Sequence, residues 1–169
     1  METATPDEAL RRCGADKDAI STATWWELRS RAEFEEVDQH ETHVVAAFAL
    51  GPHALLVEDL GDEGVYRSDL SAGTLAVSSF RSGNSEDFSV SRDGMALAWM
   101  YLSCLSAIEG DHPDEITNAF AAMSIDEVRA FEDDPEKHPN DLELFRRIGG
   151  VSPAVADVAR PARMAIMAS

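Results

Sequence analysis

The densest chemistry in this sequence lies at two strand ends. Glu58 and Asp59 close the run ALLVED, and Arg81 and Asn84 stand at the end of TLAVSSF and in the turn after it. Two carboxylates beside a guanidinium make a recognition spot for a polar group, and a general acid or base if one carboxyl is buried. An ion pair and an ordinary turn use the same residues. Trp99, Met100 and Tyr101 form an aromatic stretch that either fills a core or lines a pocket for a flat ligand. Glu58, Asp59, Arg81, Asn84 and Trp99 are therefore the candidate binding residues, and no catalytic residue is assigned.

Familiar chemical motifs fail one by one. Gly83 lacks the following glycines and lysine that cradle phosphates, and no G-x-S-x-G elbow occurs. Cys104 lies in the apolar run LSCLSA, where desolvation makes a thiol a poor nucleophile. Counted as a calcium loop from Asp59, the third ligand position is Gly61 and the twelfth is Leu70, so the required carboxylates are missing. His40 and His43 are the one close histidine pair, and spacing indicates no third ligand. We expect no metal and no cofactor.

The bulk composition restricts the partner. Fourteen basic residues stand against 32 acidic ones, a net charge of −18 over 169 residues. Binding a phosphate backbone rests on Lys and Arg displacing counterions, so a nucleic-acid partner is disfavoured and a basic protein suits better. Cys13 and Cys104 are far apart and sit in apolar surroundings, as buried thiols of a reducing compartment do. METATPDEAL has no basic stretch followed by an apolar core, and no run is long enough to span a bilayer. A cytoplasmic protein with no membrane partner is expected; the oligomeric state is left open.

These residues need elements to position them. Thr5-Pro6-Asp7-Glu8 combines a capping box with proline at the first helical position, and predicts a short helix ending at Gly14. Thr24 and Glu27 make a second box, followed by the acidic run Glu33, Glu35, Glu36, Asp38 and Glu41, read as a solvated face or a dock for a basic partner. Residues 44 to 50 are apolar on both alternating faces and predict an interior strand with a helix over its small side; Gly51-Pro52 turns it into ALLVE. Strands over 74–81, 87–91 and 95–102 follow, the last two joined by Asp93-Gly94, which accepts the positive φ of a two-residue turn. Phe88 and Val90 point one way and Asp87, Ser89 and Ser91 the other, which predicts one wet face.

Further helices are predicted after Pro113, after Ser124 and around Leu142, Phe145 and Ile148, with Gly149-Gly150 closing the last. Arg146, Arg147, Arg160 and Arg163 bring positive charge to the C-terminal end and are read as partners for the chain's own acids. The expected fold class is α+β: one antiparallel meander of about five strands flanked by N-terminal and C-terminal helices. Residues 1–159 are expected to form a single domain, with 160–169 as a flexible tail.

The ordered segments TPDEALRRCGAD, ALLVEDLGDEG, LSAGTLAVSSFRSGN, DFSVSRDG and RRIGGV resemble a family of actinobacterial proteins of unassigned function, with a TPEE-type helix, an LLVEDNG strand, LSxGTxAVSV and a DG hairpin. His53 and Leu60 depart from the Trp and Asn of that pattern. The resemblance implies an architecture and no activity. Two readings of function follow from the residues. One is a non-catalytic acidic module, of the immunity or regulatory protein type, that engages a basic partner. The other is a small-molecule-binding protein or cofactor-free enzyme with a pocket between sheet and helices.

Overall fold

The computed structural model describes residues 4–27, 30, 42–59, 63–82, 85–102, 107–121 and 141–168. The fold is α+β with two antiparallel four-stranded sheets, and the chain divides into two compact units, Met1–Glu63 with Pro153–Ser169 and Gly64–Ser152. The acidic run 33–41, His40, the loop around Asn84, Cys104 and the helix predicted after Ser124 lie outside the described residues.

The first unit opens with helix α1 (Pro6–Cys13). Thr5 Oγ1 accepts from the Glu8 amide at 3.2 Å, and Gly14 takes the left-handed cap at φ 110°. Strand β1 (Ser21–Ala23) ends at the second capping box, which is complete: the Thr24 amide donates to Glu27 Oε2 at 2.7 Å and the Glu27 amide to Thr24 Oγ1 at 3.3 Å. Strands β2 (Thr42–Leu50) and β3 (His53–Asp59) form the expected hairpin, with Leu50 opposite His53. After the four-residue helix α5 (Val155–Val158, numbered in chain order), strand β8 (Ala162–Ala168) pairs with both β1 and β2, giving the order β1-β8-β2-β3.

Residues 162–168, expected to belong to a flexible tail, are thus a strand inside the first sheet. Their alternate Ala162, Met164 and Ile166 join Val44, Ala46 and Phe48 of β2 in one core, with Val158 and Trp25 against it. On the other face Val45 and Ala47 are buried, and α1 packs against β2, β3 and β8. Small residues on that face let the helix approach, as the sequence led us to expect.

The second unit holds helix α2 (Glu63–Tyr66), a 3₁₀ turn (Ser68–Ser71), strands β4 (Leu75–Ser82), β5 (Ser85–Arg92), β6 (Met95–Tyr101) and β7 (Ile108–Glu109), helix α3 (Asp114–Ala121) and helix α4 (Asp141–Leu144), which continues into a π-helical turn (Phe145–Gly149). The sheet order is β4-β5-β6-β7. Asp93 and Gly94 make the β5–β6 turn with φ 52° and 84°, the positive angles a two-residue hairpin requires. Buried Ser71 locks that turn: its Oγ donates to the Ser68 carbonyl at 2.7 Å and accepts from the Gly94 amide at 3.0 Å.

The second core is Phe88, Val90, Ala98 and Met100 of the sheet against Ile116, Ala119 and Leu144 of the helices. Phe145 meets Phe88 edge to face at 6.0 Å. Gly150 ends the π-helical turn in the left-handed conformation, its amide donating to the Arg146 carbonyl at 3.1 Å.

Two expectations change here. The five predicted strands exist but do not form one meander: β2 and β3 belong to the first sheet, β4 to β6 to the second. Short turns dictate pairing of the strands they join, whereas the long connection 60–74 carries its own helix and 3₁₀ turn and leaves the pairing of β3 with β4 unspecified. The predicted wet face of β5 is also covered, since Asp87, Ser89 and Ser91 are 4%, 5% and 6% exposed.

Candidate functional site

The residues singled out from sequence are divided between the two units. Glu58 sits on β3 opposite Val45, on the face that carries α1, and is half-buried; Asp59 follows it at the strand end opposite Val44. Arg81 is in β4 opposite Glu86 of the second sheet, and Asn84 lies outside the described residues. The four form one recognition spot only if a single meander brings the two strand ends together; those ends belong instead to two sheets. Trp99 is in β6, and its environment is the more informative one.

Strand register puts two rows of side chains across one face of the second sheet. Ser78, Ser89, Trp99 and Glu109 are successive partners from β4 to β7, and Phe80, Asp87 and Tyr101 form the adjacent row. Directly opposed residues of antiparallel strands share a face with their Cβ atoms about 5 Å apart. The Trp99 and Tyr101 rings meet at right angles, centroids 5.4 Å apart. A third ring closes the group, because Tyr66 Oη donates to Asp87 Oδ2 at 3.2 Å. The floor is buried and the rim is not: Asp87 is 4% exposed, whereas Tyr101 is 45% and Tyr66 64%.

Met100, grouped with Trp99 and Tyr101 in the sequence, points into the core on the opposite face and is fully buried. Alternation along a strand separates it from its two neighbours. The sequence reading missed Asp87 and Tyr66 as members of this group. The signal for Asp87 was a carboxylate inside an alternating strand; the signal for Tyr66 was absent, because its approach depends on the path of α2.

A second feature lies between sheet and helix. Val90 pairs with Ala98 and Ser91 with Ala96, which leaves Leu97 as the extra residue of a bulge. The Leu97 carbonyl accepts the His112 amide at 2.9 Å. Arg92 Nη1 donates to Glu115 Oε1 at 2.9 Å and joins the hairpin to α3. Arg92, Asp93, Met95, Leu97, His112 and Glu115 surround an open depression of about 200 Å³. Among the described residues no group of three His, Cys, Asp or Glu could hold a metal ion, and no helix is long and apolar enough to cross a membrane.

Charge is distributed with a clear pattern. Each arginine whose side chain is described has a carboxylate of the same chain as its partner: Arg11 and Arg12 with Glu8, Arg67 with Asp69, Arg92 with Glu115, Arg146 and Arg147 with Glu143, Arg160 with Asp157 and Arg163 with Asp7. The hydrogen bond from Arg146, followed by that from Arg147, pulls the Glu143 carboxyl down to about 2. Asp69 is likewise lowered, chiefly by its hydrogen bond from Arg67.

A family of unknown function, DUF6461, matches residues 1–155. The chain belongs to that family. The DUF6461 match takes in the whole second unit and ends before β8. Neither the curated proteins nor the solved structures gave a match.

Proposed function

We propose that this member of the DUF6461 family is a non-catalytic acidic protein-binding module, of the immunity or regulatory type, that engages a basic protein in the cytoplasm. One observation carries the reading: the arginines whose side chains are described are engaged by carboxylates of the same chain, while acids exceed bases by 18 over the full sequence. The excess has no internal counter-charge, so the molecule presents a negative field that speeds encounter with a positive surface and repels nucleic acid.

Affinity capture from native lysate at low and high salt tests it. Screening shortens from about 10 Å at 0.1 M to about 3 Å at 1 M, so capture of a basic partner falls steeply with salt. Capture that ignores salt, or a partner without basic character, counts against the proposal.

A second reading, a small-molecule binder, is favoured by the depression between the β5–β6 hairpin and α3, which offers both signs of charge beside Met95 and Leu97. It requires that free amino acids, as zwitterionic probes, shift the amide resonances of Asp93 and His112. Unmoved resonances would remove it.

A further inference from the structure

We infer that the Trp99–Tyr101 face of the second sheet is the place where the partner's basic segment is read, by taking the cation of a lysine or arginine side chain. The inference rests on the acidic-module reading and names the site that would give it selectivity. A diffuse negative field attracts any cation and holds none in a fixed position. A fixed position needs ring faces and a carboxylate together, and the β6–β7 side of the two cross-strand rows supplies them in Tyr101, Trp99 and Glu109.

Trp99 and Tyr101 stand between two acids, with Glu109 opposite Trp99 and Asp87 opposite Tyr101. The side chains of both rows are hydroxyl, aromatic or carboxylate, and none is basic. The perpendicular packing of the two rings leaves ring surface open at Tyr101, which is 45% exposed. The bond from Tyr66 to Asp87 holds a third exposed ring at the rim. A cation over such rings is attracted by their quadrupole, most strongly at Trp, and the attraction grows as the site loses water. Aromatic residues outside a core usually cost solubility, so their place beside carboxylates on a strongly acidic chain is what a cation-binding surface requires.

The occupant is an extended basic segment of a partner protein. Charge complementarity selects it: the chain is at −18, and at the β6–β7 side of this otherwise covered face the exposed Tyr101 ring and the exposed Glu109 carboxylate, beside half-buried Trp99, match a long side chain ending in a cation. The field governs association and the rings govern dissociation.

The experiment titrates the full chain with short acetylated lysine–glycine and arginine–glycine peptides and a glutamine–glycine control. Heat of binding and the indole N–H resonance of Trp99 are followed at low and high salt. The basic peptides are expected to bind and to move the Trp99 resonance, and the control to do neither. Tyr101→Ala should weaken binding roughly three- to tenfold, and Tyr101→Phe, which keeps the ring, should restore it. Asp16→Asn with Asp18→Asn, on the first unit, should lessen the salt dependence without affecting the Trp99 shift. Equal binding by wild type and Tyr101→Ala, still abolished by salt, would overturn the aromatic site and leave the acidic module standing. Absence of any binding at low salt would overturn both.

Discussion

Arg163 and Asp7 are 156 positions apart in sequence and are joined by two hydrogen bonds, Nε to Oδ1 at 2.6 Å and Nη2 to Oδ2 at 3.3 Å. The pair ties β8 to α1 across the face of the first sheet. Both side chains are more than a third exposed, so the charge interaction itself is worth at most about 1 kcal/mol. Arg163→Ala should therefore lower stability by no more than about 1 kcal/mol in a urea titration. Removing residues 160–169 is a different matter. It takes out the strand between β1 and β2 and opens both faces of a core, so the first unit should lose its slow-exchanging amides in β2 while the second keeps those in β5. A dispensable tail would leave both unchanged.

Gly110 has φ 113°, and a Cβ there would lie 2.4 Å from the Leu97 carbonyl oxygen and 2.9 Å from Ala98 Cα. Both obstacles are backbone and cannot rotate away. Gly110→Ala should cost about 2 kcal/mol or more, combining left-handed strain with displacement of the bulge. Chemical denaturation measures it, and loss of amide protection at His112, whose N–H bonds to Leu97, localises the damage.

Phe88 is fully buried and meets Phe145 edge to face. Phe88→Ala leaves a hole between β5 and the helical layer, with an expected loss of about 3–5 kcal/mol. Phe88→Leu should lose less, because it keeps most of the apolar volume. A smaller loss for the alanine variant would mean that the helices collapse onto the sheet.

Glu143 is held by Arg146 Nε through Oε2 at 2.7 Å and by Arg147 Nε through Oε1 at 2.5 Å. Its carboxyl falls from an ordinary 4.5 to about 2. A carboxyl whose folded value is depressed contributes stability above the unfolded value, and that contribution is lost as pH falls through the folded one. The expected window is about 4.5 down to about 2. Carboxyl-detected NMR should show Glu143 titrating near 2, below the ordinary glutamate range. Arg146→Gln should bring its midpoint back toward the ordinary value, and high salt should do the same in part because the group is at the surface.

Among the described residues, four local signals were read accurately because their chemistry acts within a few residues. Thr5 with Glu8, Thr24 with Glu27, Asp93-Gly94 and the Gly150 cap each require one backbone conformation and one nearby partner, and each is found. The binding residues were less legible. Trp99 belongs to a surface group, but Glu58 and Asp59 are in one sheet and Arg81 in another, and Asp87 was expected in water.

Sequence alone determined where α1 and strands β2 to β6 lie, which of their hairpins close, and that the chain carries a large excess of acid. Those properties follow from turn angles, caps, side-chain period and a count of charges. Tertiary structure decided that five similar strands divide between two sheets, that β8 enters the first sheet beside β2, and that Tyr66 reaches Asp87. An alternating strand states which of its residues share a face, yet its edges offer the same amide and carbonyl groups to any partner. Which partner wins depends on what the whole chain can bury at once, and no local pattern encodes that competition.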